Sequence, residues 1–357
     1  MTGEGNRPIS IGLLADPDLP AELAEHLTDA LPEALARAGD GRQWHVEALV
    51  EPLVGGDQDS LDDLTDAALG HKARHEWDLL IVLTDLPRRE GTRAVVAEVH
   101  PRDGVALASL PALGALALRR RVLAVAVRLV LDLVGPPTPR TFAGAHLSRL
   151  DRADGGYRLT LPVGRGRWRL FVGMVRANRP WRLVTGLSGA LIAAFATSAF
   201  GAFAVVLWTL ADQLGVLRLT LATVVSVAVM VGYLIVEHRL WERPDNADRR
   251  RRARLYNAAT MTTLVLGVGI FYVVLFLLLS LALAFVLDVD VVSQNLGHRA
   301  MWTDYLEITW LIASLATVGG AVASGAEDED TVRKAAYGPR QRARLEAEQA
   351  RSDADDA

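Results

Sequence analysis

Five residues stand where chemistry would be done if the amino-terminal half of this chain folds as an α/β sheet: Asp16, Asp18, Asp85, Arg88 and Arg89. Asp16 and Asp18 follow the apolar run 9–15 (ISIGLLA); Asp85, Arg88 and Arg89 follow 78–84 (DLLIVLT). Open α/β sheets bind ligands beyond the carboxyl ends of their strands. Carboxylates gathered there can hold a divalent cation, and arginines can clamp a phosphate or carboxylate. Strand-end aspartates also serve ordinary turns and caps, which is their commoner role. His71 and His75 sit four apart on an expected helix, a spacing that can share a metal. The intervening Lys72-Ala73-Arg74 lacks the glutamate base of a zinc hydrolase, which favours an exposed helix face instead. The chain has no cysteine, so disulfides, thiolate catalysis and Cys-ligated metal sites are excluded. It carries neither the glycine-rich dinucleotide fingerprint nor a phosphate-binding loop ending in Gly-Lys-Ser/Thr. No catalytic residue, resident metal or cofactor is expected.

The elements that would position these residues alternate between strand and helix. Strands are expected at 9–15, 45–50, 78–84, 94–99 and 105–109. One helix runs over 20–38, ended or restarted at Pro32. A second runs from a capping box at Ser60 and Asp63 to about Glu76. A third runs over 113–133 and stops at Gly135-Pro136-Pro137. The alternation predicts a mostly parallel sheet covered on both faces, with 94–99 antiparallel at an edge because its connection is too short for a crossover. The 113–133 segment is apolar enough to imitate a membrane span, but Arg119, Arg120, Arg121, Arg128 and Asp132 assign it to the sheet. With 1–136 as the α/β domain, 137–182 is a connecting region. In it 157–161 and 168–172 are expected to pair as a hairpin around Pro162-Val163-Gly164, before an Arg-rich approach to the apolar half.

That half changes the class of protein. At 357 residues the chain holds two domains on the usual prior, and its mean hydropathy of +0.21 hides an uneven distribution. Crossing a hydrocarbon core ~30 Å thick takes about 20 apolar residues. Four segments qualify: 183–210, 217–236, 261–287 and 305–324, giving an all-α four-helix transmembrane bundle over 183–324. Arginines crowd before the first segment (Arg165 to Arg182), between the second and third (Arg239 to Arg254), and after the fourth (Arg333 to Arg344). The other two connections carry only Arg218 and Arg299. Basic residues mark cytoplasmic loops, so both termini are expected in the cytoplasm. The amino terminus lacks the basic and apolar regions of a cleavable signal peptide. Residues 325–357 read as a charged tail, disordered or helical. Small residues recur every four positions at Gly186, Ala190, Ala194, Ser198 and Ala202, with a second row at Gly189, Ala193, Thr197 and Gly201, and again at Ala316, Gly320 and Ser324. Such rows let helices approach closely, within one bundle or between copies in a homo-oligomer. Ionisable groups (Asp212, Glu237, His238, Asp288, Asp290, Asp304, Glu307) fall at or beyond span ends, which argues against a transport path. The expected partners are the lipid bilayer and anionic head groups near Arg249 to Arg252. A net charge of −4 gives no reason to expect nucleic acid.

Two resemblances add to this. The segments MVRANRPWRL, ARLYNAAT and LATVGGA resemble an actinobacterial family of multi-pass membrane proteins without an assigned function, and that likeness implies a high-GC bacterial source. The strand and helix order of the amino-terminal half is similar to the core of metzincin-type zinc peptidases, with VLTDLP and VVAEVHPRDGVALASLPAL looking like the strands before their active-site helix. The matching helix here, RRRVLAVAVRLVLDLVG, has no histidine, so the resemblance implies a core without its metal site. The expected role is therefore a non-enzymatic bacterial plasma-membrane protein with a cytosolic α/β domain in sensing, regulation or scaffolding. The alternatives are a metal-dependent hydrolase at the acidic sheet edge, or a small transporter or channel subunit.

Overall fold

The computed structural model describes residues 7–39, 42–51, 61–135, 141–142, 145–153, 155–238, 240–241 and 247–324; of 61–67, 141–142, 145–146 and 247–252 only the backbone is described. The chain divides into two compact units between Ala177 and Asn178.

The first unit runs β1 (Ile9–Ala15), α1 (Leu19–Arg37), β2 (Trp44–Val50), α2 (Leu61–Arg74), β3 (Leu79–Thr84), β4 (Arg89–Glu90), β5 (Arg93–His100), β6 (Val105–Ser109), α3 (Leu118–Val134), β7 (Thr141–Phe142), β8 (Ala145–His146), β9 (Ser148–Asp151), β10 (Tyr157–Thr160) and α4 (Val163–Ala177). β7 and β8 pair only with each other. The main sheet has the order β2-β1-β3-β6-β5-β10-β9, with β4 paired to β5. β2, β1, β3 and β6 are parallel neighbours. β5 is antiparallel to β6, β10 and β4, and β10 is antiparallel to β9.

The sheet is therefore mixed, not mostly parallel, and β5 is an interior strand rather than the expected edge. The reason lies downstream. Gly155 takes φ 86°, a conformation open to glycine, and the Arg152 N–H donates to the Gly156 carbonyl, closing a hairpin of β9 and β10 that extends the sheet past β5. Residues 168–172, expected as the second strand of a different hairpin, are helical within α4. Pro162 accepts from the Gly166 N–H, so this proline opens a helix, where its missing N–H costs nothing. Pro32 also departs from expectation, since α1 runs through it unbroken. A proline inside a helix costs roughly 3 kcal/mol. Leu23, Leu27, Leu31 and Leu35 form a buried stripe on the same helix, and burying each is worth about 1.5–3 kcal/mol, more than enough to offset it. α3 packs Val122, Val125, Ala126, Leu129 and Val130 inward, as its arginines required. The capping box at Ser60 lies outside the described residues.

The second unit contains α5 (Arg182–Gly186), α6 (Ser188–Phe203), α7 (Val205–Glu237), α8 (Ala247–Val286), α9 (Val289–Leu296) and α10 (Trp302–Ser324). Among the described residues three helices are long and apolar enough to cross a membrane: α7, α8 from Ala253, and α10. The expected first span is not one continuous helix. α6 has 16 residues, ~24 Å at 1.5 Å per residue, short of a ~30 Å core. It breaks at Leu187 and at Ala204, and α7 is itself interrupted at Gly215 (φ 69°). Among the described residues a fourth span exists only if Val163–Gly186, which takes in α4 and α5, and α6, bent by 48°, are taken together. Arg249 to Arg252 lie in α8, but their side chains are outside the described residues, as is all of 325–357.

Candidate functional site

The five expected residues lie after the carboxyl ends of β1 and β3. β1 and β3 are parallel neighbours with Ala15 opposite Leu83, which brings Asp16 and Asp85 to the same edge. Asp16 is buried, its N–H donating to the Leu83 carbonyl. Asp18 stands just before α1 with φ 70° and gives that helix no side-chain cap. Its carbonyl accepts from the Glu22 N–H. Thr84 and Ser109 complete the edge: the Thr84 hydroxyl accepts from the Leu86 N–H at 3.1 Å, and the Ser109 hydroxyl donates to the Leu86 carbonyl at 2.6 Å. These bonds hold the loop after β3 down on the sheet.

The same loop carries Arg88. Its Nη1 lies 4.0 Å from Oε2 of Glu98, a β5 carboxylate only 1% exposed. Arg152 donates to Glu98 Oε1 at 2.8 Å and Arg158 at 3.2 Å, while His100 Nε2 stands 3.7 Å from the same oxygen. Register explains the gathering. Glu98 is directly opposite Arg158 on β10 and Leu107 on β6, so all three share one face. Arg152 comes from the turn after β9, and Arg158 also pairs with Glu90 of β4. Burial pushes the Glu98 carboxyl up, but His100, Arg158, Arg152 and Arg88 outweigh it and hold it below the usual carboxylate range. Three guanidiniums thus converge on one carboxylate and keep a foothold in solvent: the side chains of Arg88, Arg158 and Arg152 are 13%, 16% and 25% exposed. Such a concentration of guanidiniums attracts anions, which their planar forks bind in bidentate fashion.

Behind Glu98, on the opposite face, Tyr157 is fully buried and donates to Oδ2 of Asp132 on α3 at 2.7 Å. Arg128 sits 3.5 Å from the same oxygen, and Arg149 lies over the Tyr157 ring at 3.8 Å. Burial first, then the Asp132 contact, pushes the Tyr157 phenol up, so it stays a donor. This face is structural: it ties α3 to the strands that carry the arginines.

No family model, no curated protein and no solved structure matches the chain. The likenesses to a multi-pass family and to metzincins thus rest on the residues alone. Among the described residues no three His, Asp or Glu side chains converge as metal ligands. His71 faces Glu51 at 3.1 Å and His75 stacks on Trp77, so the two histidines turn to different partners.

In the second unit one row of small residues packs inward on α6 and another on α10, while the second row on α6 (Gly189, Ala193, Thr197 and Gly201) is exposed or half-exposed. Ala190, Ala194 and Ser198 of α6 are buried, as are Ala316, Gly320 and Ser324 of α10, and Gly186 of α5; Ala202 is half-exposed. A Cβ on Gly320 would fall 3.1 Å from the Ala194 Cβ and 3.2 Å from the Ala190 carbonyl oxygen. Sequence reasoning missed a polar node between α7, α8 and α10. There Trp310 donates to the Thr223 hydroxyl at 2.6 Å, and the Tyr272 hydroxyl lies 3.1 Å from both Thr223 and Ser314. It also missed the ion pair of His298 with Asp212 at 3.1 Å, where the bond to the Arg299 carbonyl and the nearby Asp212 raise the His298 imidazole above its usual value.

Proposed function

We propose that this is a multi-pass bacterial plasma-membrane protein whose amino-terminal α/β domain is cytoplasmic and binds a small anion in a sensing or regulatory role, without catalysis. The observation that carries the reading is the group of Arg88, Arg152 and Arg158 around buried Glu98, three guanidiniums with partial solvent access. Guanidinium forks bind a phosphate or carboxylate, and Glu98 and Glu90 hold these guanidiniums in place before a ligand arrives. The membrane part of the reading draws on three to four apolar helices. The cytoplasmic orientation draws on the clustering of arginine in alternate connections. The family likeness in MVRANRPWRL, ARLYNAAT and LATVGGA agrees with both. A homo-oligomer would have to use faces other than the buried row on α6.

The test uses the full chain in detergent, titrated with inorganic phosphate or citrate against chloride at equal ionic strength. The expected result is a saturable rise in the unfolding temperature of the amino-terminal unit, lost in Arg88→Gln and Arg152→Gln. A rise that persists in both variants would remove the site. The hydrolase alternative depends on Asp16, Asp18 and Asp85 holding a metal, and manganese-induced stabilisation lost in Asp16→Asn would bring it forward.

A further inference from the structure

A second basic surface lies on the same unit, and its composition differs from that of the Glu98 cluster. No Asp or Glu occurs between Asp103 and Asp132, or between Asp154 and Asp212. Folding brings these two acid-free stretches together. Gly114 (φ 80°) precedes α3, and a Cβ there would fall 3.2 Å from Arg121 Nη1 and 3.6 Å from Arg169 Cγ of α4. Farther along α4, Gly173 packs so tightly on the Pro111 carbonyl that an added Cβ would come within 2.1 Å of its oxygen. The start of α3 and α4 therefore meet around Gly114 as one surface. Its inner side buries Gly166, Leu170, Gly173 and Met174. Its outer side exposes Arg119, Arg120, Arg165 and Arg167. Among them stand two large apolar side chains in solvent, Leu116 at 77% and Trp168 at 68% exposure, with the indole stacked on Phe171. Burial and the neighbouring charges of Arg169 and Arg120 push the Arg121 guanidinium down, a mark of how closely positive charge is crowded here.

Chain connectivity says what this surface meets. Only residues 178–182 separate the end of α4 from Leu183 and the apolar helices, a reach of at most about 20 Å. Polybasic segments that close to a bilayer are attracted to anionic lipid, and indoles favour the interface between head groups and acyl chains. We propose that the α3–α4 surface docks on an anionic lipid layer, its arginines on head-group phosphates and Trp168 and Leu116 dipping into the interface. This does not depend on the Glu98 cluster binding anything; it requires only that the second unit sits in a membrane.

The test is hydrogen–deuterium exchange on the full chain in nanodiscs of phosphatidylcholine alone or of equal parts phosphatidylcholine and phosphatidylglycerol. The amides of 114–121 and 163–172 should exchange several-fold more slowly in the anionic discs, with α1 unchanged as the internal control. Arg165→Gln and Arg167→Gln should each remove about fivefold of the lipid-dependent protection, and Trp168→Ala part of it. Equal exchange of wild-type protein in the two lipids overturns the proposal without reference to any variant. Protection that appears in neutral discs only on adding RNA also overturns it, because the face would then belong to nucleic acid.

Discussion

Replacing Glu98 with glutamine tests the central cluster most directly. The carboxylate is 1% exposed and receives hydrogen bonds of 2.8 Å from Arg152 and 3.2 Å from Arg158. Removing one partner of a fully buried ion pair costs about 3–5 kcal/mol, most of it from the stranded opposite charge. Here the arginines retain some solvent and Arg158 keeps Glu90, so Glu98→Gln should cost the lower amount, about 2–3 kcal/mol. For a unit of this size that is a fall of roughly 5–10 °C in unfolding temperature. The assay is thermal proteolysis of the full chain in detergent, with fragments mapped to the amino-terminal unit so that the two units are followed separately. Adding Arg158→Gln should recover part of the loss, a non-additivity that a double-mutant cycle measures. The pH dependence has a definite sign. With its folded pKa depressed, Glu98 contributes fully above its ordinary value of 4.5, and the contribution fades as pH falls through the lower folded value. The glutamine variant should lack that acid limb. A variant within about 0.5 kcal/mol of wild type, with the acid limb intact, would refute the reasoning.

Other consequences are equally direct. Tyr157→Phe removes the 2.7 Å donor to buried Asp132 and should destabilise the same unit by about 1–3 kcal/mol, measured in the same proteolysis assay. Asp212→Asn should lower the titration midpoint of His298, read from its ring resonances by NMR. Because the folded pKa of His298 is raised, its pair with Asp212 is fully present below the ordinary 6.5 and is lost as pH rises through the raised value. Gly320→Leu overfills the contact of α10 with Ala190 and Ala194 and should cost about 1–3 kcal/mol, seen as a lower folded yield in detergent.

The strands of the first unit were legible wherever the chain is apolar and bounded by turns: 9–15, 78–84 and 105–109 match β1, β3 and β6 within a residue. The first three helices were legible too, including α3, whose arginines excluded a span; α4 was not, since 168–172 reads as a strand. What escaped was pairing. Alternation identifies a strand but not its neighbour: 157–161 was expected to pair with 168–172, but Gly155 turned Tyr157–Thr160 back on 148–151, a strand short enough to pass as linker. Glu98 was hidden for the same reason: a lone acid in AVVAEVH reads as a solvent-facing residue until β10 lies beside it. The one available signal was the coincidence of Glu98 with arginines at 88, 152 and 158, and only register connects them. Arg88 was singled out as a residue near the sheet end, and what the sequence did not show is its approach to Glu98 on β5.

The number of spans decides on which side the two ends of the chain lie, and here sequence and structure bear on each other. If only α7, α8 and α10 cross, the stretch Arg165 to Arg182 lies on the opposite side from Arg239 to Arg254 and from Arg333 to Arg344. One arginine cluster would then face outward, against the asymmetry that orients membrane proteins. If the bent pair ending in α6 crosses as well, all three clusters share one side, and the interruption of α7 at Gly215, beside Arg218, and the connection holding Arg299 share the other. The orientation proposed above therefore requires that pair to cross, with the shortness of α6 made up by α5 across the bend at Leu187. The chain is free of cysteine, so single replacements report on topology without a background. Thr138→Cys and Ser352→Cys, probed in intact cells with a membrane-impermeant maleimide, should both stay unlabelled until the cells are lysed. Labelling of one and not the other would mean an odd number of crossings and would detach α6 from the set of spans.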